Sequence, residues 1–431
     1  MKNYFPIRQK PVQHNFKKGD VLVLFGELFN RGYANGLVEE AEKNGLTVVR
    51  ATVGRRDAEG HLRALTIEET ENIPKPFINV PLEAGFDLEK DSNGKSPNDY
   101  LTGVKLSEWE NASIPEASLL ESKEKGRKRF KENTQKFLSE LEPYLTKGHH
   151  VHFAHLMAGG VPRTKIVMPL MNRVFKGIGD RFVSSELFWN SGIGQLLQHN
   201  FHEVTAETFN ILVSESTKLR EKIIADGGSV SYVAYGYHGT EIIIKDHYQW
   251  QSYAPYIQGW AKVNLENYSN AWSDKGVKTC VYNCPEILTN SSSIFQGVEI
   301  PLYNLIRSFE KEAPTSTITA KIKDDCKAAL KEDANMNQVF KLVDDFLSSE
   351  LFQKTSIYEN WPHHSQKDQL EAALTTSDNI IALHKDEKSL MTAALSELVF
   401  KGCGYVMLHE AMNPQHPVAW IGHDAIVKSL T

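Results

Sequence analysis

The order of apolar and polar residues near the N-terminus constrains the fold of this chain more than any other feature. "DVLVLFG" (20–26) is a short apolar run that ends at a glycine, as expected for a strand buried on both faces of a parallel sheet. Apolar residues then recur at helical spacing as far as Asn44-Gly45, and "LTVVRATVG" (46–54) is a second β-branched run. Strand, helix and strand in this order predict a βαβ unit with a right-handed crossover and a parallel sheet.

The same alternation continues along the chain. Further buried-strand runs are "HHVHFAHLMAGG" (149–160), "GSVSYVAYG" (228–236) and "VKTCVYNC" (277–284), with helical stretches in between. Strands that alternate with helices five or more times are typical of a doubly wound α/β domain. We therefore predict a doubly wound parallel sheet of the Rossmann type.

The domain boundaries follow from changes of composition. The sheet-forming pattern covers residues 17–310, and the polar, charged stretch at about 80–145 is typical of a surface insertion. The apolar run within about 162–205 is either core or a flap over an apolar substrate, and the sequence favours neither. After residue 310 the pattern becomes helical and charged, so we expect 311–431 to form a mostly helical C-terminal extension.

The composition argues against several classes of protein. The chain has 431 residues, 41% of them hydrophobic and 24% charged, and its net charge is −6, so we expect no attraction to nucleic acid. No apolar stretch is long enough for a membrane span, and the basic N-terminus lacks the apolar segment of a secretory signal. We expect a cytoplasmic protein with reduced thiols, as a monomer or a homo-oligomer.

Two patterns could suggest a metal site. Cys280 and Cys284 have no second pair, and the alternating histidines of "GHHVHFAH" (148–155) have no carboxylate or thiolate partner nearby in the sequence. Hydrogen-bonded histidines on a buried strand and free thiols are the better interpretation. We expect no metal site.

The turn after the first strand carries the strongest functional signal. A glycine-rich turn lets the backbone approach a pyrophosphate, which the helix N-terminus then stabilises. The spacing of Gly26, Gly32 and Gly36 alone is equally compatible with an ordinary βα loop. The whole segment "GELFNRGYANG" resembles the loop of the enoyl-acyl-carrier-protein reductases, a branch of the short-chain dehydrogenase/reductase superfamily that reads approximately G-x-x-x-N-R-S-I-A-x-G. Asn30 and Arg31 are in register, so the resemblance implies that these five residues bind a dinucleotide.

A second part of the resemblance lies in "SYAPYIQGWAKVNLE". Tyr253 and Lys262 have the Y-x8-K spacing of the trans-2-enoyl-CoA reductases and related bacterial enoyl reductases, and the Y-x-x-x-K of ordinary ketoreductases is missing there. "YHGTE" resembles the family's Y-x-G-x-E. The resemblance therefore implies Tyr253, Lys262 and Tyr237 as catalytic residues, with Lys262 also holding the cofactor ribose. Tyr232 and Tyr235 are expected to pack on the strand.

Two further segments fit the family. "AHLMAGGVPR" resembles its fourth-strand exit, which implies Ala158 and Gly159 beside the nicotinamide ribose. "CPEILTNSSSIF" resembles its sixth-strand loop, which implies Ile287 and Thr289 at the nicotinamide carboxamide. The residues between the two matched tyrosines exceed the family's usual number, so "IIIKDHYQWQ" (242–251) is expected to be an insertion at the edge of the site.

Arg55 and Arg56 follow the second strand, where the adenosine ribose is expected. Arginines at this place accommodate a 2′-phosphate, whereas an acidic residue favours NAD. Solvent-facing arginines are the alternative, and Asp57 complicates the pattern. On balance the sequence favours NADPH over NADH.

The resemblance implies NAD(P)H-dependent reduction of the α,β double bond of an enoyl thioester, either enoyl-CoA or enoyl-acyl carrier protein. A hydride is added to the β-carbon, and a tyrosine stabilises or protonates the enolate. Two alternatives stay open. One is a short-chain dehydrogenase acting on a carbonyl, an alcohol or a non-thioester enone, and the other is a non-catalytic nucleotide-binding protein.

Overall fold

Parallel strands form the centre of the protein in its computed structural model, which describes residues 4–252, 257–289, 292, 296–354, 356 and 364–431. In chain order the described strands are β1 (Pro6–Ile7), β2 (Val21–Glu27), β3 (Thr47–Thr52), β4 (Arg55–Arg56), β5 (Leu62–Arg63), β6 (Phe77–Pro81), β7 (His150–His155), β8 (Ser229–Tyr235), β9 (Thr240–Ile244), β10 (His247–Gln251), β11 (Thr279–Asn283) and β12 (Val418–Ile421).

Helices account for most of the remaining described chain. They are α1 (Tyr33–Lys43), α2 (Ile67–Thr70), α3 (Pro97–Leu101), α4 (Glu116–Leu141), α5 (Val167–Lys176), α6 (Ser185–Trp189), α7 (Gly192–His202), α8 (Thr208–Glu215), α9 (Thr217–Ala225), α10 (Ile257–Ser273), α11 (Glu299–Glu312), α12 (Thr317–Ala329), α13 (Met336–Leu347), α14 (Glu350–Gln353), α15 (Lys367–Leu383), α16 (Thr392–Glu410) and α17 (His423–Leu430). Within the described ranges, none of these helices combines the length and apolar character that crossing a membrane requires.

The main sheet has the order β1-β12-β11-β8-β7-β2-β3-β6, and the pairings between its described strands are all parallel. From β2 the chain builds outward through β3 to β6, and it then returns to the other side of β2 with β7 and continues to β12. The predicted doubly wound parallel sheet is therefore confirmed. Ligands of such sheets bind at the carboxyl ends of the strands where the order reverses, which is here between β2 and β7.

Both faces of the sheet are covered by helices. Alternate residues of β2 point to opposite faces, so Leu22 and Leu24 join one apolar cluster and Val21, Val23 and Phe25 join the other. Helices α1, α5, α7, α11 and α16 contribute to the first cluster, and α4, α8 and α9 to the second. The continuous apolar character of β2 is therefore explained by burial on both sides.

Helix α4 lies in the segment predicted as an insertion, and it covers one face of the sheet. Four apolar residues on one side of this helix are buried, namely Phe130, Phe137, Leu138 and Leu141. The rings of Phe130 and Phe137 contact Phe25 of β2 edge to face, with centroids 5.9 and 5.5 Å away. At least this part of the segment therefore packs on the sheet as a helix, whereas the boundaries of an insertion at 80–145 stay a prediction.

The C-terminal part of the chain is mostly helical, as expected, and it also contributes a strand to the main sheet. Strand β12 pairs with β11 on one side and with β1 on the other. Helix α16 packs along α1, and α17 follows β12 and packs on α16. A domain boundary near residue 310 stays a prediction.

The contact between α1 and α16 is made backbone to backbone. A Cβ atom added to Gly36 would lie 1.9 Å from the carbonyl oxygen of Phe400, and one added to Gly404 would lie 2.2 Å from the carbonyl carbon of Gly36. Next to this contact, Glu40 Oε1 and His409 Nε2 lie 3.1 Å apart, and both side chains are buried. The two helices are thereby held at a distance that only glycine permits.

We expect Gly404→Ala to lower the free energy of unfolding by about 1–3 kcal/mol, because an extra methyl group in a close-packed contact forces the helices apart. Lys128→Ala is the control, since Lys128 is exposed on α4, away from the contact between α1 and α16. Thermal and urea unfolding of the two variants and the wild type would measure the difference. Equal stability of all three proteins would contradict the described helix contact.

Candidate functional site

A cavity of about 1100 Å³ opens at the carboxyl ends of β2, β7, β8 and β11. We call it the strand-end cavity. It lies where the strand order reverses, as the fold leads one to expect. The predicted site residues that line it are Arg31, Gly32, Ala158, Tyr237, Lys262, Ile287 and Thr289. Five segments that are separated in the sequence are thus brought to one place.

Other predicted residues shape this region without appearing among the described lining residues. Gly26 ends the buried part of β2 with a φ of 123°, a conformation that favours glycine. Asn30 is exposed, and Gly36 is occupied by the contact with α16. The carbonyl oxygen of Gly159 accepts a hydrogen bond from Thr205 Oγ1 at 3.0 Å. Their roles in binding a cofactor stay predictions.

The N-terminus of α1 faces the strand-end cavity. Gly32 is the N-cap residue, with a φ of 152°, and no side chain caps the helix. The side-chain nitrogen Nδ2 of Asn35 donates to the carbonyl oxygens of Phe29 and Gly32, at 3.0 and 3.1 Å, and so fixes the conformation of the loop. A helix N-terminus with uncapped amides is suited to bind the oxygens of a pyrophosphate.

Lys262 lies on α10 and lines the strand-end cavity with only 4% of its surface exposed. In the part of the chain that the structure describes, its ammonium group has neither an ion pair nor a hydrogen bond. Burial lowers the pKa of Lys262 to about 8. A buried ammonium group in need of oxygen acceptors fits the ribose hydroxyls of a dinucleotide.

Tyr237 and Glu286 meet at the inner end of the strand-end cavity. The Tyr237 hydroxyl donates to Glu286 Oε1 at 3.2 Å. Burial raises the pKa of the Glu286 carboxyl group to about 8, so this group is mostly neutral at pH 7. The sequence comparison passed over Glu286, although a single glutamate beside a buried strand end is a signal of an unusual environment.

Two further tyrosines belong to this cavity. Tyr33 begins α1, its hydroxyl donates to the Pro285 carbonyl oxygen at 2.7 Å, and its ring stacks on Tyr235 with centroids 5.6 Å apart. We expected Tyr235 only to pack on the strand, but it also lines the strand-end cavity. Tyr232 does pack, because its ring stacks on Phe153 in the core.

Tyr253 lies outside the described residues, and its catalytic role stays a prediction. The segment just before it, 242–251, was expected to be an insertion. It forms most of an antiparallel hairpin made of β9 and β10. Strand β9 of this hairpin packs against α11, α17 and β12, and Tyr253 follows the hairpin in the sequence.

A second cavity, of about 790 Å³, adjoins the first, and Glu286 lines both. We call it the apolar cavity. Its apolar lining comes from α5, β9, α11 and the helices α13 to α15, namely Phe175, Ile242, Ile300, Pro301, Phe346, Leu347, Phe352, Leu370 and Ala373. An elongated apolar group could therefore extend from the Tyr237 hydroxyl past Glu286 into this space.

Carboxylates engage both arginines that were assigned to a 2′-phosphate. The two terminal nitrogens of Arg55 lie 2.9 Å from the two oxygens of Glu27, and Arg56 Nε lies 2.6 Å from Glu83 Oε2. Glu27 lines the strand-end cavity, so its charge is presented to the same ligand. The sequence could not reveal these pairs, because each joins the ends of different strands or loops.

The histidines of β7 are hydrogen-bonded, as the sequence predicted. His152 Nδ1 lies 2.7 Å from Ser231 Oγ, and His155 Nε2 lies 2.8 Å from Thr208 Oγ1. Across the described ranges, no group of three His, Cys, Asp or Glu side chains is placed to hold a metal ion.

Comparisons with a family model and with solved structures show to which family this chain belongs. Residues 3–430 match the family model described as enoyl-acyl carrier protein reductase FabMG. An apo structure of FabMG, described as a novel type of enoyl-acyl carrier protein reductase, is 43% identical with a TM-score of 0.96, and the match covers 100% of this chain and 98% of the other. An NADH-bound structure of FabMG is 38% identical with a TM-score of 0.81, over 100% and 99% of the two chains. A search of curated proteins gives no significant match.

The prediction that NADPH is the preferred cofactor is wrong. The cofactor in the solved structure of the 38% identical FabMG is NADH. The physical reason for the error lies in Arg55 and Arg56, which the sequence presented as free cations and which Glu27 and Glu83 neutralise. An arginine already paired with a carboxylate is a weak ligand for a 2′-phosphate.

The family model covers almost the entire chain, and the related FabMG structures match it over their full length. The predicted class of enzyme, an oxidoreductase acting on carbon–carbon double bonds, is confirmed. This chain belongs to the FabMG family of enoyl-acyl carrier protein reductases.

Proposed function

We propose that this enzyme uses NADH to reduce the α,β double bond of an enoyl thioester carried by acyl carrier protein. One observation carries the proposal. The N-terminus of α1, the buried Lys262 and Tyr237 face one cavity, and at Glu286 this cavity meets a second cavity whose lining is mostly apolar.

The residues of the strand-end cavity fit a nicotinamide dinucleotide. The uncapped amides of α1 and the guanidinium of Arg31 are suited to the pyrophosphate, and Lys262 is suited to the ribose hydroxyls. Ile287 and Thr289 lie at the exit of β11, where the backbone and the threonine hydroxyl can meet the carboxamide. The bound cofactor supplies the hydride that is added to the β-carbon of the substrate.

Tyrosine hydroxyls are the groups that we assign to the thioester oxygen. Negative charge grows on this oxygen as the β-carbon is reduced, and a hydroxyl that donates to it stabilises the transition state. Tyr237 lines the cavity, and we assign the proton donor to Tyr253. A positive charge close to a tyrosine hydroxyl makes the hydroxyl a better proton donor, and we assign this effect on Tyr253 to the ammonium group of Lys262.

Glu286 is suited to hold Tyr237 in position. A tyrosine hydroxyl has only one proton to donate. When Glu286 is neutral, its own O–H can donate to the Tyr237 oxygen across the 3.2 Å contact, which leaves the Tyr237 proton free to be donated to the substrate oxygen. An ionised Glu286 would instead accept the Tyr237 proton in a hydrogen bond, and its negative charge would repel the enolate. We infer that the neutral form of Glu286 is the active one.

The acyl chain is assigned to the apolar cavity. We treat 162–205 as a substrate flap in this proposal, and α5 within it contributes Phe175 to the cavity wall. The remaining wall comes largely from α13, α14 and α15 of the C-terminal part. The carrier is assigned from the family description, which names acyl carrier protein.

We also infer a relationship with the short-chain dehydrogenase/reductase superfamily. The order β6-β3-β2-β7-β8-β11-β12 follows the chain order three, two, one, four, five, six, seven within the sheet domain. The loop after β2 and the lysine on the helix after β8 lie at the positions that this superfamily uses. This arrangement supports the relationship, in addition to the motifs described above.

The proposed function is tested by following loss of NADH absorbance with short and long enoyl thioesters on acyl carrier protein and on CoA. We expect turnover that requires the double bond, with the acyl carrier protein substrate preferred. The saturated acyl thioester is the control and should give none. Turnover of a ketone or a simple enone, with none of the thioesters, would refute the proposal.

Tyr237→Phe should lower kcat by about 10²-fold, because the transition state loses one hydrogen-bond donor to the growing negative charge. Tyr268→Phe is the matched control. Tyr268 lies on α10 and donates to Glu207, away from both cavities. Steady-state kinetics with an enoyl thioester would measure both variants. An equal effect of the two substitutions would argue against contact between Tyr237 and the substrate.

The activity should fall as the pH rises through about 8, since Glu286 then ionises and Lys262 loses its proton. In Glu286→Gln only the Lys262 deprotonation remains. The alkaline limb of log kcat/KM should therefore become less steep, from loss of two protons to loss of one. The pH profiles of the wild type and the variant measure this. An unchanged slope would rule out the titration of Glu286.

A further inference from the structure

Glu27 occupies a place where two cavities and two strand ends meet. It is the last residue of β2, and it lines the strand-end cavity. It also lines a third cavity of about 660 Å³, which we call the acidic cavity because Glu27, Glu83 and Asp87 contribute to its wall. Val53 and Arg163 line the acidic cavity as well. Glu27 is thus part of the wall that the two cavities share, together with Phe29, Leu156, Met157 and Ala158.

The carboxylate of Glu27 is fixed at the carboxyl end of β3 as well as of β2. Its Oε2 atom accepts from Thr52 Oγ1 at 2.9 Å and from the Val53 backbone nitrogen at 3.3 Å. Arg55 donates to both carboxylate oxygens at 2.9 Å. Burial opposes ionisation of this group, but the hydrogen bonds outweigh it, and the pKa of Glu27 lies below its usual value. The group is an anion at neutral pH.

The position of this anion matters for the adenosine half of a dinucleotide. In a doubly wound sheet, the adenosine ribose lies beside the carboxyl end of the second strand, and an acidic residue there accepts from the ribose hydroxyls. In this chain the second strand is β3, and the residues at its end are Thr52, Val53 and Gly54. Its sequence supplies no acid at this place. The neighbouring strand β2 supplies an acid instead, because the side chain of its last residue, Glu27, reaches the end of β3.

We propose that Glu27 is the residue that selects NADH over NADPH. Its Oε1 atom, on which Arg55 is the one described donor, accepts a hydrogen bond from a hydroxyl group of the adenosine ribose. Its ion pair with Arg55 occupies the guanidinium group, which is then not available to bind a 2′-phosphate. The inference rests on the proposed function for the chemical nature of the cofactor.

The surrounding charges act in the same direction. Glu83 is held between Arg56 and Arg163, and Arg56 also lies 3.4 Å from Glu89, so both guanidinium groups already have carboxylate partners. A 2′-phosphate at this place would add negative charge beside the Glu27 carboxylate, without a free cation to compensate for it among the residues described around the acidic cavity. Discrimination against NADPH therefore combines repulsion by one group with the withdrawal of another.

The test is a comparison of NADH and NADPH with Glu27→Gln, which keeps the shape of the side chain and removes its charge. We expect the dissociation constant and KM for NADH to rise about tenfold and those for NADPH to fall about tenfold, because a charged hydrogen bond is lost and Arg55 is released. In Glu27→Gln/Arg55→Ala the gain with NADPH should disappear. Glu27→Asp should retain the preference for NADH.

Glu69→Gln is the matched control. Glu69 is a more exposed acid that pairs with Arg63 near Arg55 and lines none of the three cavities. We expect it to keep the wild-type ratio of the two cofactors. If Glu27→Gln discriminates as the wild type does, Glu27 is not the selecting residue.

Dinucleotide binding is measured by fluorescence titration without a substrate, so the result does not depend on turnover. An absence of enoyl reduction with an intact effect of Glu27→Gln on the two dissociation constants would refute the proposed function alone. Normal reduction with unchanged cofactor preference in the variant would refute this inference alone.

Discussion

The backbone contact between α1 and α16 is the constraint on which the site depends. A helix N-terminus binds anions only over a few ångströms, so the position of α1 must be set closely. Gly36 and Gly404 let the two helix backbones meet, and the Glu40–His409 pair fixes their relative rotation. The C-terminal part of the chain thereby sets the geometry of a loop near the N-terminus. A substitution at Gly404 would reach the cofactor through packing alone.

The site combines three ionisable groups whose environments give them different charge states. Glu27 is held as an anion by hydrogen bonds, Glu286 is kept mostly neutral by burial, and Lys262 is a cation whose pKa is lowered. These groups line one connected space, so each is suited to a different part of a ligand. In our proposals Glu27 serves the adenosine ribose, Glu286 serves the reacting oxygen through Tyr237, and Lys262 serves the nicotinamide ribose. The charge states of these three groups, more than the shape of the cavity, therefore determine which part of a ligand each region can bind.

The sequence predicted what depends on short-range order. The apolar periodicity of β2, α1 and β3 revealed the βαβ unit, and motif spacing brought Tyr237 and Lys262 to the same cavity. It did not reveal the Glu27–Arg55 pair, because Glu27 is an unassigned position of the loop motif and the pair forms across strand ends. Four residues, "VAWI", were likewise too few to indicate that β12 belongs to the main sheet. Such features depend on where distant segments meet.

The placement of β12 has a consequence for how the protein is made. In chain order this strand follows β11 by a long helical stretch, and β1 pairs with it at the edge of the sheet. During synthesis from the N-terminus, β1 therefore waits for its partner until nearly the whole chain has left the ribosome, and so does α1 for α16. Pairings so distant in sequence form slowly. A growing chain can assemble β2, β3 and β7 early, but the loop between β2 and α1 reaches its final position only when α16 docks on α1.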